Sequence, residues 1–280
     1  MALDLAKMRS KLAPQTNNKS VIDGSLYRFW NMKIKEQCTV RFLEDGNQAN
    51  NSSFWVERQM INLEFPSTLG ENYNKQVKLQ VPCIEMFNPD ANEFAGGCNL
   101  KCPVMEELRR WYKSAKDTGD DKLETLANKY WKKRTYFFQG FIRVNPIKED
   151  VSPENPIRRL ILGPQLFKIL KSSLISETEL EPTSITNGTN FNIRKNDQGG
   201  QANYTTSAWD RKNSYLTDRE ISDIEKYGIL NLSKFLPKRP DDKTLEVIYE
   251  MFEASVEGNP YEKKWEEYFK PYVADKHYDN

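Results

Sequence analysis

The sequence is poor in the residues and motifs on which most enzymes depend. It has one histidine, His277, and it lacks HExxH, GxSxG, GxxxxGK followed by Ser or Thr, and a GxGxxG after a strand. A Ser–His or Cys–His mechanism needs an imidazole beside the nucleophile, so one histidine near the C-terminus argues against such chemistry. The carboxylates form no spaced cluster typical of a two-metal nuclease. We therefore expect a protein that is not an enzyme.

Long apolar runs are also missing. No stretch approaches the ~20 residues of a membrane-spanning helix. The N-terminal MALDLAKMRSKLAP carries Asp4, Lys7 and Arg9 and so lacks the apolar core of a signal peptide. We expect an intracellular location and no membrane partner. In such a reducing compartment the four cysteines are expected as thiols or metal ligands and not as disulfides.

The charge is nearly balanced over the whole chain but unevenly distributed along it. The net charge is +1, yet residues 241–280 hold eleven Asp or Glu and five Lys or Arg, which leaves 36 basic and 29 acidic residues in positions 1–240. A basic body with an acidic end favours a nucleic-acid partner, although an ordinary solvated surface also gives such a split.

Local patterns predict short strands interrupted by helices. Strands are predicted at Cys38–Leu43, Phe54–Phe65 and Lys75–Cys83, in TYFFQGFIRV and RRLIL, and on both sides of the GG turn in TNFNIRKNDQGGQANYTTSAW. Helices are predicted from Pro103, in DDKLETLANKYWKK, in QLFKILKSSL and in the acidic remainder. This pattern favours a small barrel, mainly β with α, over a βαβ sheet. The expected parts are an N-terminal arm (1–24), a binding core (25–235) with a cysteine-bearing insertion at about 60–128, and an acidic helical C-terminal region (236–280).

The stretch KYWKKRTYFFQGFIRV, residues 129–144, combines cations with aromatic rings. Four cations fall within six positions: Lys129, Lys132, Lys133 and Arg134. Alternate residues of a strand share a face, so Tyr136 and Phe138 are predicted on one face, with Phe137 and Gln139 on the other. Cations bind phosphates, and ring faces stack on unpaired bases of any sequence at about 1–3 kcal/mol per base. The alternative is that the rings are core and the cations stabilise a helix end through its dipole.

Later predicted strands repeat this combination. The further candidates for contact with nucleic acid are Arg143, Arg158, Arg194, Lys195, Tyr204 and Trp209. Any one such pair is usually solvated surface, but several of them beside aromatic residues favour an interface for unpaired bases.

Three cysteines are candidate metal ligands. Cys83, Cys98 and Cys102 form C-x14-C-x3-C, with Pro103 behind the last. Thiolates ahead of a helix suit tetrahedral zinc, which needs four ligands, and an oxygen from Asp90, Glu85 or Glu93 is a candidate for the fourth. The alternative is three buried or surface thiols. Cys38 lies in a predicted apolar strand and is expected as a small core residue.

The order of these segments over about residues 1–235 resembles the T-even-type phage single-stranded DNA-binding (helix-destabilising) protein family. CTVRFL resembles its first barrel strand, FWVERQM with the cysteine cluster ending in CPV resembles its zinc subdomain, and KKRT before aromatics resembles its basic-plus-hydroxyl motif. NPIKEDVSPENP with RRLILGPQLFKIL resembles a Pro-rich loop, strand and helix of the family. GTNFNIRKNDQGGQANYTTSAW resembles a later strand pair, in which NY matches a tyrosine-bearing turn.

The resemblance implies an OB-fold barrel with a zinc-type insertion and sequence-independent, cooperative binding of single-stranded DNA (ssDNA) in replication, recombination and repair. It implies DNA contacts by Lys132, Lys133, Arg134, Tyr136 and Tyr204. It also implies self-association along the strand through the N-terminal arm, where the matching residues are Lys7, Arg9, Ser10 and Lys11, interrupted by Met8. If a phage encodes the chain, the host cytoplasm is the expected location.

Two departures from the family pattern are visible. The family's zinc site uses one histidine and three cysteines, whereas the region upstream of Cys83 has Met60 and Asn62 but no histidine. The family's markedly acidic tail recruits other replication proteins, whereas this chain ends in the mildly acidic EKKWEEYFKPYVADKHYDN. Zinc binding and recruitment of replication proteins through the C-terminal region are therefore expectations to be tested.

Two other hypotheses stand beside ssDNA binding. The first is an interaction module with a structural zinc site, whose basic and aromatic surface meets RNA or an acidic protein; comparing RNA with DNA oligomers of one sequence separates it. The second is a metal-dependent nuclease, which intact ssDNA after incubation with Mg²⁺ or Mn²⁺ would exclude.

Overall fold

The computed structural model describes residues 24–50, 53–66, 76–87, 100–149, 152–176 and 181–271. The predicted arm up to residue 23, with Lys7, Arg9, Ser10 and Lys11, lies outside the described residues. So do Cys98, the candidate ligands Asp90 and Glu93, and the chain end from residue 272.

Along the described residues, three strands are followed by two α-helices, two strands, one α-helix, four strands and two α-helices. The strands are β1 (Gln37–Phe42), β2 (Val56–Phe65), β3 (Val77–Pro82), β4 (Lys133–Val144), β5 (Ile157–Leu162), β6 (Phe191–Arg194), β7 (Asn196–Gln198), β8 (Gln201–Asn203) and β9 (Ala208–Trp209). The helices are α1 (Pro103–Thr118), α2 (Asp121–Tyr130), α3 (Pro164–Ser176), α4 (Asp218–Tyr227) and α5 (Asp242–Glu257). None of these helices is both long and apolar enough to span a membrane.

Strand β4 is the central strand of a seven-stranded, mostly antiparallel sheet. One edge of β4 pairs with β5 from Tyr136↔Leu162 to Phe141↔Ile157. The other edge pairs with β2, through Val56↔Phe137, and then with β1, through Phe42↔Gly140. Strands β1 and β2 therefore lie end to end along one edge of β4, with residues 43–55 between them.

The described strand pairings leave the sheet open, with β3 at one end of its path and β9 at the other. Strands β7 and β8 form a separate hairpin, whose turn uses Gly199 and Gly200 at positive φ. The prediction of a fold that mixes strands with helices is confirmed, with a mostly antiparallel sheet and five α-helices in the described residues, but the helices hold more residues than the strands, so the fold is not mainly β. Closure into an OB barrel is not found among the described residues and stays a prediction.

Two large hydrophobic clusters stabilise the molecule. In the first, α3 covers one face of β1, β4, β5 and β6, around Phe42, Phe138 and Phe191. In the second, the predicted insertion (β2, β3, α1 and α2) packs with α5 and Trp265. The C-terminal helix therefore contributes to the core of the insertion, because the apolar side chains of Met251 and Phe252 point into it.

Candidate nucleic-acid interface

The basic motif lies where α2 ends and β4 begins. Asp120 caps α2 by accepting the N–H groups of Lys122 and Leu123, and Tyr130 at the other end is buried. The Tyr130 hydroxyl donates to the Ser255 carbonyl at 2.9 Å, which fixes the last turn of α2 against α5. The cations of residues 129–134 therefore extend from an anchored helix end to the first residues of the central strand.

Three of the four cations of this motif face carboxylates from β2 and the turn after β3. The pairs are Lys129–Glu64 at 3.3 Å, Lys132–Glu85 at 2.7 Å and Arg134–Glu57 at 3.4 Å. The exposed Lys133 has no ion pair within the described part of the chain, and the Arg134 side chain is 52% exposed. Lys133 and Arg134 are therefore the two cations of the motif that are most accessible to phosphate.

The pairing of Lys132 is the most enclosed of the three. Both its side chain and that of Glu85 are 10% exposed, and Glu85 also accepts from Arg109 at 2.7 Å. Burial opposes ionisation of Glu85, but hydrogen bonds from Lys132 and Arg109 outweigh it and lower the pKa of the carboxyl. Lys132 must leave this carboxylate before it can contact DNA, so here it links the motif to the insertion.

The predicted alternation of β4 is confirmed, but its aromatic face points inward. Tyr136 and Phe138 belong to the first cluster, whereas Phe137 packs with Val56 on the opposite face. Phe138 is fully buried and Tyr136 is 5% exposed. The Tyr136 ring is stacked on Phe167 with centroids 3.5 Å apart. The prediction that Tyr136 and Phe138 offer free faces to bases is wrong for this conformation, because core residues cover both rings.

The accessible rings lie at the rim of the same cluster. Trp55, Phe167 and Tyr204 are partly buried and pack against it. Helix α3 brings them together: the centroids of Phe167 and Trp55 lie 5.3 Å apart, and Gln165 accepts the Tyr204 N–H at 3.0 Å. Burial raises the pKa of Tyr204 to about 12, so its hydroxyl stays protonated and uncharged at neutral pH. Sequence analysis did not select Trp55 or Phe167, although Lys168 directly follows Phe167 and was a signal that could have identified it.

An open cavity of about 640 Å³ adjoins Trp55. Its lining residues are Glu44, Asp45, Asn47, Gln48, Asn50, Ser53, Phe54, Trp55, Leu174, Pro182 and Thr183. Amide side chains carry donors and acceptors that match base edges, whereas Glu44 and Asp45 repel phosphate. This arrangement suits a base and not a phosphate.

Two of the predicted arginines have structural roles. Arg158 is 5% exposed, pairs with Glu149 at 2.7 Å and donates to the Leu26 carbonyl. Arg143 pairs with Glu220 at 2.6 Å and donates to the Tyr215 carbonyl at 2.8 Å. The prediction of a DNA contact is contradicted for Arg158, whose guanidinium is enclosed. It is not supported for Arg143, whose hydrogen bonds are already used within the fold.

The remaining predicted residues lie around β6. Arg194 donates to Gln37 at 2.7 Å, and Lys195 donates to the Trp30 carbonyl at 2.5 Å. Burial lowers the pKa of Lys195. Trp209 packs its ring on Phe42 and Phe191. These side chains are partly accessible, and their contact with DNA stays a prediction.

The two described cysteines of the insertion lie side by side in its core. Cys83 and Cys102 are buried, and the Cys83 thiol donates to the Cys102 sulfur. That hydrogen bond lowers the pKa of Cys102, as do those from backbone N–H groups of α1 and the turn after β3. No group of three potential metal ligands occurs in the ranges that the structure describes, and Glu85 is bound by Lys132 and Arg109. Cys38 is fully buried in β1, as predicted.

The exposed cations at the start of β4 lie near the partly buried rings along α3, an arrangement typical of proteins that bind unpaired nucleic acid. A family model described as "gp32 DNA binding protein like" matches residues 26–254. The chain belongs to this gp32-like family of DNA-binding proteins, whose members bind ssDNA. The resemblance seen in the sequence is thereby confirmed. A comparison with curated proteins gave no match.

Proposed function

We propose that the chain coats ssDNA without regard to base sequence, in phage DNA replication, recombination and repair. One observation carries this proposal. The exposed Arg134 shares a face of β4 with Tyr136, which stacks on Phe167, and Phe167 contacts Trp55. A cation and a row of rings thus lie side by side.

In this proposal the phosphates follow the cations and the bases follow the rings. Lys133 and Arg134 neutralise phosphates and release their counterions. Trp55, Phe167 and Tyr204 offer partly exposed ring faces for stacking, which tolerates every base. The cavity beside Trp55 receives a base edge. No step of this mechanism forms or breaks a covalent bond.

The test is a salt titration of Lys133→Ala and Arg134→Ala. Each variant is expected to weaken binding of oligo-dT, oligo-dA and a mixed sequence alike, because phosphate contacts carry no base code. Each should also make the slope of log K against log salt less steep by about 0.7. Lys116→Ala, an exposed lysine on α1, is the matched control and should change neither quantity.

Two outcomes would overturn the proposal. One is a loss of affinity confined to a single base sequence, and the other is equal or tighter binding of the wild-type protein to duplex DNA. The same titration with RNA of matched sequence tests the interaction-module alternative, which preference for RNA would support.

We also infer that zinc bound to Cys83, Cys98 and Cys102 braces the insertion. The contact between Cys83 and Cys102 brings two sulfurs together, and backbone N–H groups directed at Cys102 stabilise its thiolate. The hydrogen bond to Cys102 and burial raise the pKa of Cys83, so zinc binding would have to release the Cys83 proton. A zinc ion would supply a structural cross-link there and no catalysis. Metal analysis should find one zinc per chain and its loss in Cys102→Ser; a metal-free wild-type protein would exclude the site.

The finer family properties complete the proposal. The described sheet would form part of an OB barrel, and the protein would act in the host cytoplasm. The arm with Lys7, Arg9, Ser10 and Lys11 would mediate self-association along the DNA strand. Replication proteins would bind the C-terminal region. Deleting residues 1–23 should lower cooperativity on long ssDNA while leaving affinity for a single-site oligomer unchanged.

A further inference from the structure

We propose that Tyr215 is a second base-stacking platform for the same DNA strand, at the far end of β4 from Arg134. The proposal rests on the proposed function and extends it. Tyr215 lies in the loop between β9 and α4, and no sequence motif singled it out.

The loop that carries Tyr215 is held by two arginines. Arg41, which is fully buried in β1, donates through Nε to the Ser214 carbonyl at 2.9 Å. Arg143 donates to the Ser214 hydroxyl and to the Tyr215 carbonyl. Because both residues belong to the central sheet, the backbone beneath Tyr215 is fixed to the scaffold.

The residues on either side add further anchors. Ser214 donates its N–H to the Gly188 carbonyl at 2.6 Å, and the Leu216 N–H donates to Ile185 at 2.9 Å. Leu216 is itself buried in a small cluster with Phe141. Gly188 leaves room for Arg41, since a Cβ there would lie 2.2 Å from the guanidinium carbon. The anchoring elements thus come from both the sheet and the loop before β6.

The ring itself points away from this anchored backbone. Tyr215 is 69% exposed, whereas its neighbour Leu216 is buried and Ser214 is half-buried. An exposed aromatic ring on a rigid loop loses little conformational entropy when a planar base stacks on it. The loop is therefore organised for stacking before any ligand arrives.

The surrounding charge favours an anionic partner, such as a nucleic acid, over a neutral or basic surface. Arg211, Lys212 and Arg219 are exposed within four residues of Tyr215 in the chain. Of the neighbouring acids, Asp210 accepts from Asn190 and Asn192 and Glu220 accepts from Arg143, whereas Asp218 is exposed. The exposed cations around this ring outnumber the exposed acid, so an exposed ring lies in a net positive segment, which is the combination that single strands require.

The spacing sets the length of DNA that can use this platform. Arg134 and Arg143 are nine residues apart on β4, which corresponds to about 30 Å at ~3.3 Å per strand residue. A short oligomer can occupy the site near Arg134 without reaching Tyr215, whereas a longer strand can contact both.

The experiment compares Tyr215→Ala with wild type on oligo-dT of roughly 6 nucleotides, near the short end of the usual site sizes of about 4–16, and of roughly 24 nucleotides, which exceeds them. The variant should bind the long oligomer about 5- to 100-fold more weakly, which is the range expected for one lost stacking contact. Affinity for the short oligomer should stay within about twofold. Tyr215→Phe keeps the ring and should bind both oligomers like wild type.

Charge variants provide the second measurement. Lys212→Gln should make the salt slope less steep for the long oligomer only, by about 0.7. Lys116→Gln on α1 is the matched control and should leave it unchanged. Because these side chains are exposed, thermal melting should show all variants folded.

The outcomes separate this proposal from the function beneath it. If Tyr215→Ala binds the long oligomer like wild type while Lys133→Ala weakens both lengths, the platform is refuted and the function stands. If wild type binds neither oligomer, the proposed function fails and the platform with it. If Tyr215→Ala loses self-association but keeps its long-oligomer affinity, the ring meets a second copy of the chain and not a base.

Discussion

Glu57, Glu64 and Glu85 each face one cation of the basic motif. A phosphate that binds Arg134 must compete with the Glu57 carboxylate at 3.4 Å, and one that binds Lys132 must displace Glu85 at 2.7 Å. The motif that would attract DNA is thus partly neutralised by the fold before DNA arrives. These ion pairs lower the affinity of the motif for DNA, which lets the protein dissociate from the DNA strand more easily.

Replacing Glu57 tests this competition. Glu57→Gln should raise affinity for ssDNA about 2- to 5-fold, because an exposed pair of this kind contributes about 0–1 kcal/mol. The salt slope should become steeper, since Arg134 without the Glu57 carboxylate neutralises a phosphate more fully and releases the cation condensed on that phosphate. Glu246→Gln, an exposed acid on α5, is the control for net charge. Unchanged or weaker binding by Glu57→Gln would refute the competition.

At the same scale, sequence reasoning could find the faces of β4 but not their exposure. Strand alternation correctly grouped Tyr136 with Phe138. Phe167, which stacks on Tyr136, lies in a helix about thirty residues later in the chain. The contact between the two rings therefore depends on tertiary packing. The sequence pattern of aromatic residues in a strand is therefore the same whether their rings face nucleic-acid bases or the hydrophobic core.

At the scale of elements, local signals located most strands and helices. Pro103 begins α1 and Asp120 caps α2 as predicted, and the predicted strand Cys38–Leu43 differs from β1 by one residue at each end. The end-to-end arrangement of β1 and β2 along β4 was not predictable, because it depends on long-range pairing. Its tightest point is Gly140, where an added Cβ would lie 2.3 Å from the Arg41 carbonyl oxygen.

Gly140→Ala should therefore strain the pairing of β1 with β4. The added methyl meets backbone and not a flexible side chain, so we expect a loss of about 1–3 kcal/mol in the free energy of unfolding. Urea denaturation measures this loss. Gly163→Ala, at a position with nothing within 4 Å, is the matched control and should stay within about 0.5 kcal/mol of wild type. Equal stability of the two variants would contradict the close approach.

At the scale of the whole molecule, the acidic C-terminal region is part of the core. Its composition suggested an appendage, but Ile248, Met251 and Phe252 pack against α1 and α2. Trp265 adds a second contact, with its ring centroid 5.5 Å from that of Phe65 in β2. The charge composition describes only the polar face of α5. The helical spacing of its apolar residues is what packs the helix against α1 and α2.

Phe252→Ala should destabilise the insertion together with the C-terminal helix. Loss of a buried phenyl ring costs about 3–5 kcal/mol, which thermal and urea unfolding would detect. Glu253→Ala, the exposed neighbour, should change stability by about 0.5 kcal/mol or less. If both variants unfold like wild type, α5 does not contribute to this core.

The chain leaves the edge of β4 after Leu43, whose N–H still donates to the Gln139 carbonyl at 3.0 Å, and returns to it at Val56↔Phe137. Both ends of this detour are fixed by the same strand, so its length can change without shifting the register on either side. The detour also supplies Trp55 and much of the adjoining cavity wall. Insertions and deletions in this segment can therefore change the ligand that Trp55 and the adjoining cavity bind, without changing the strand pairing of the sheet.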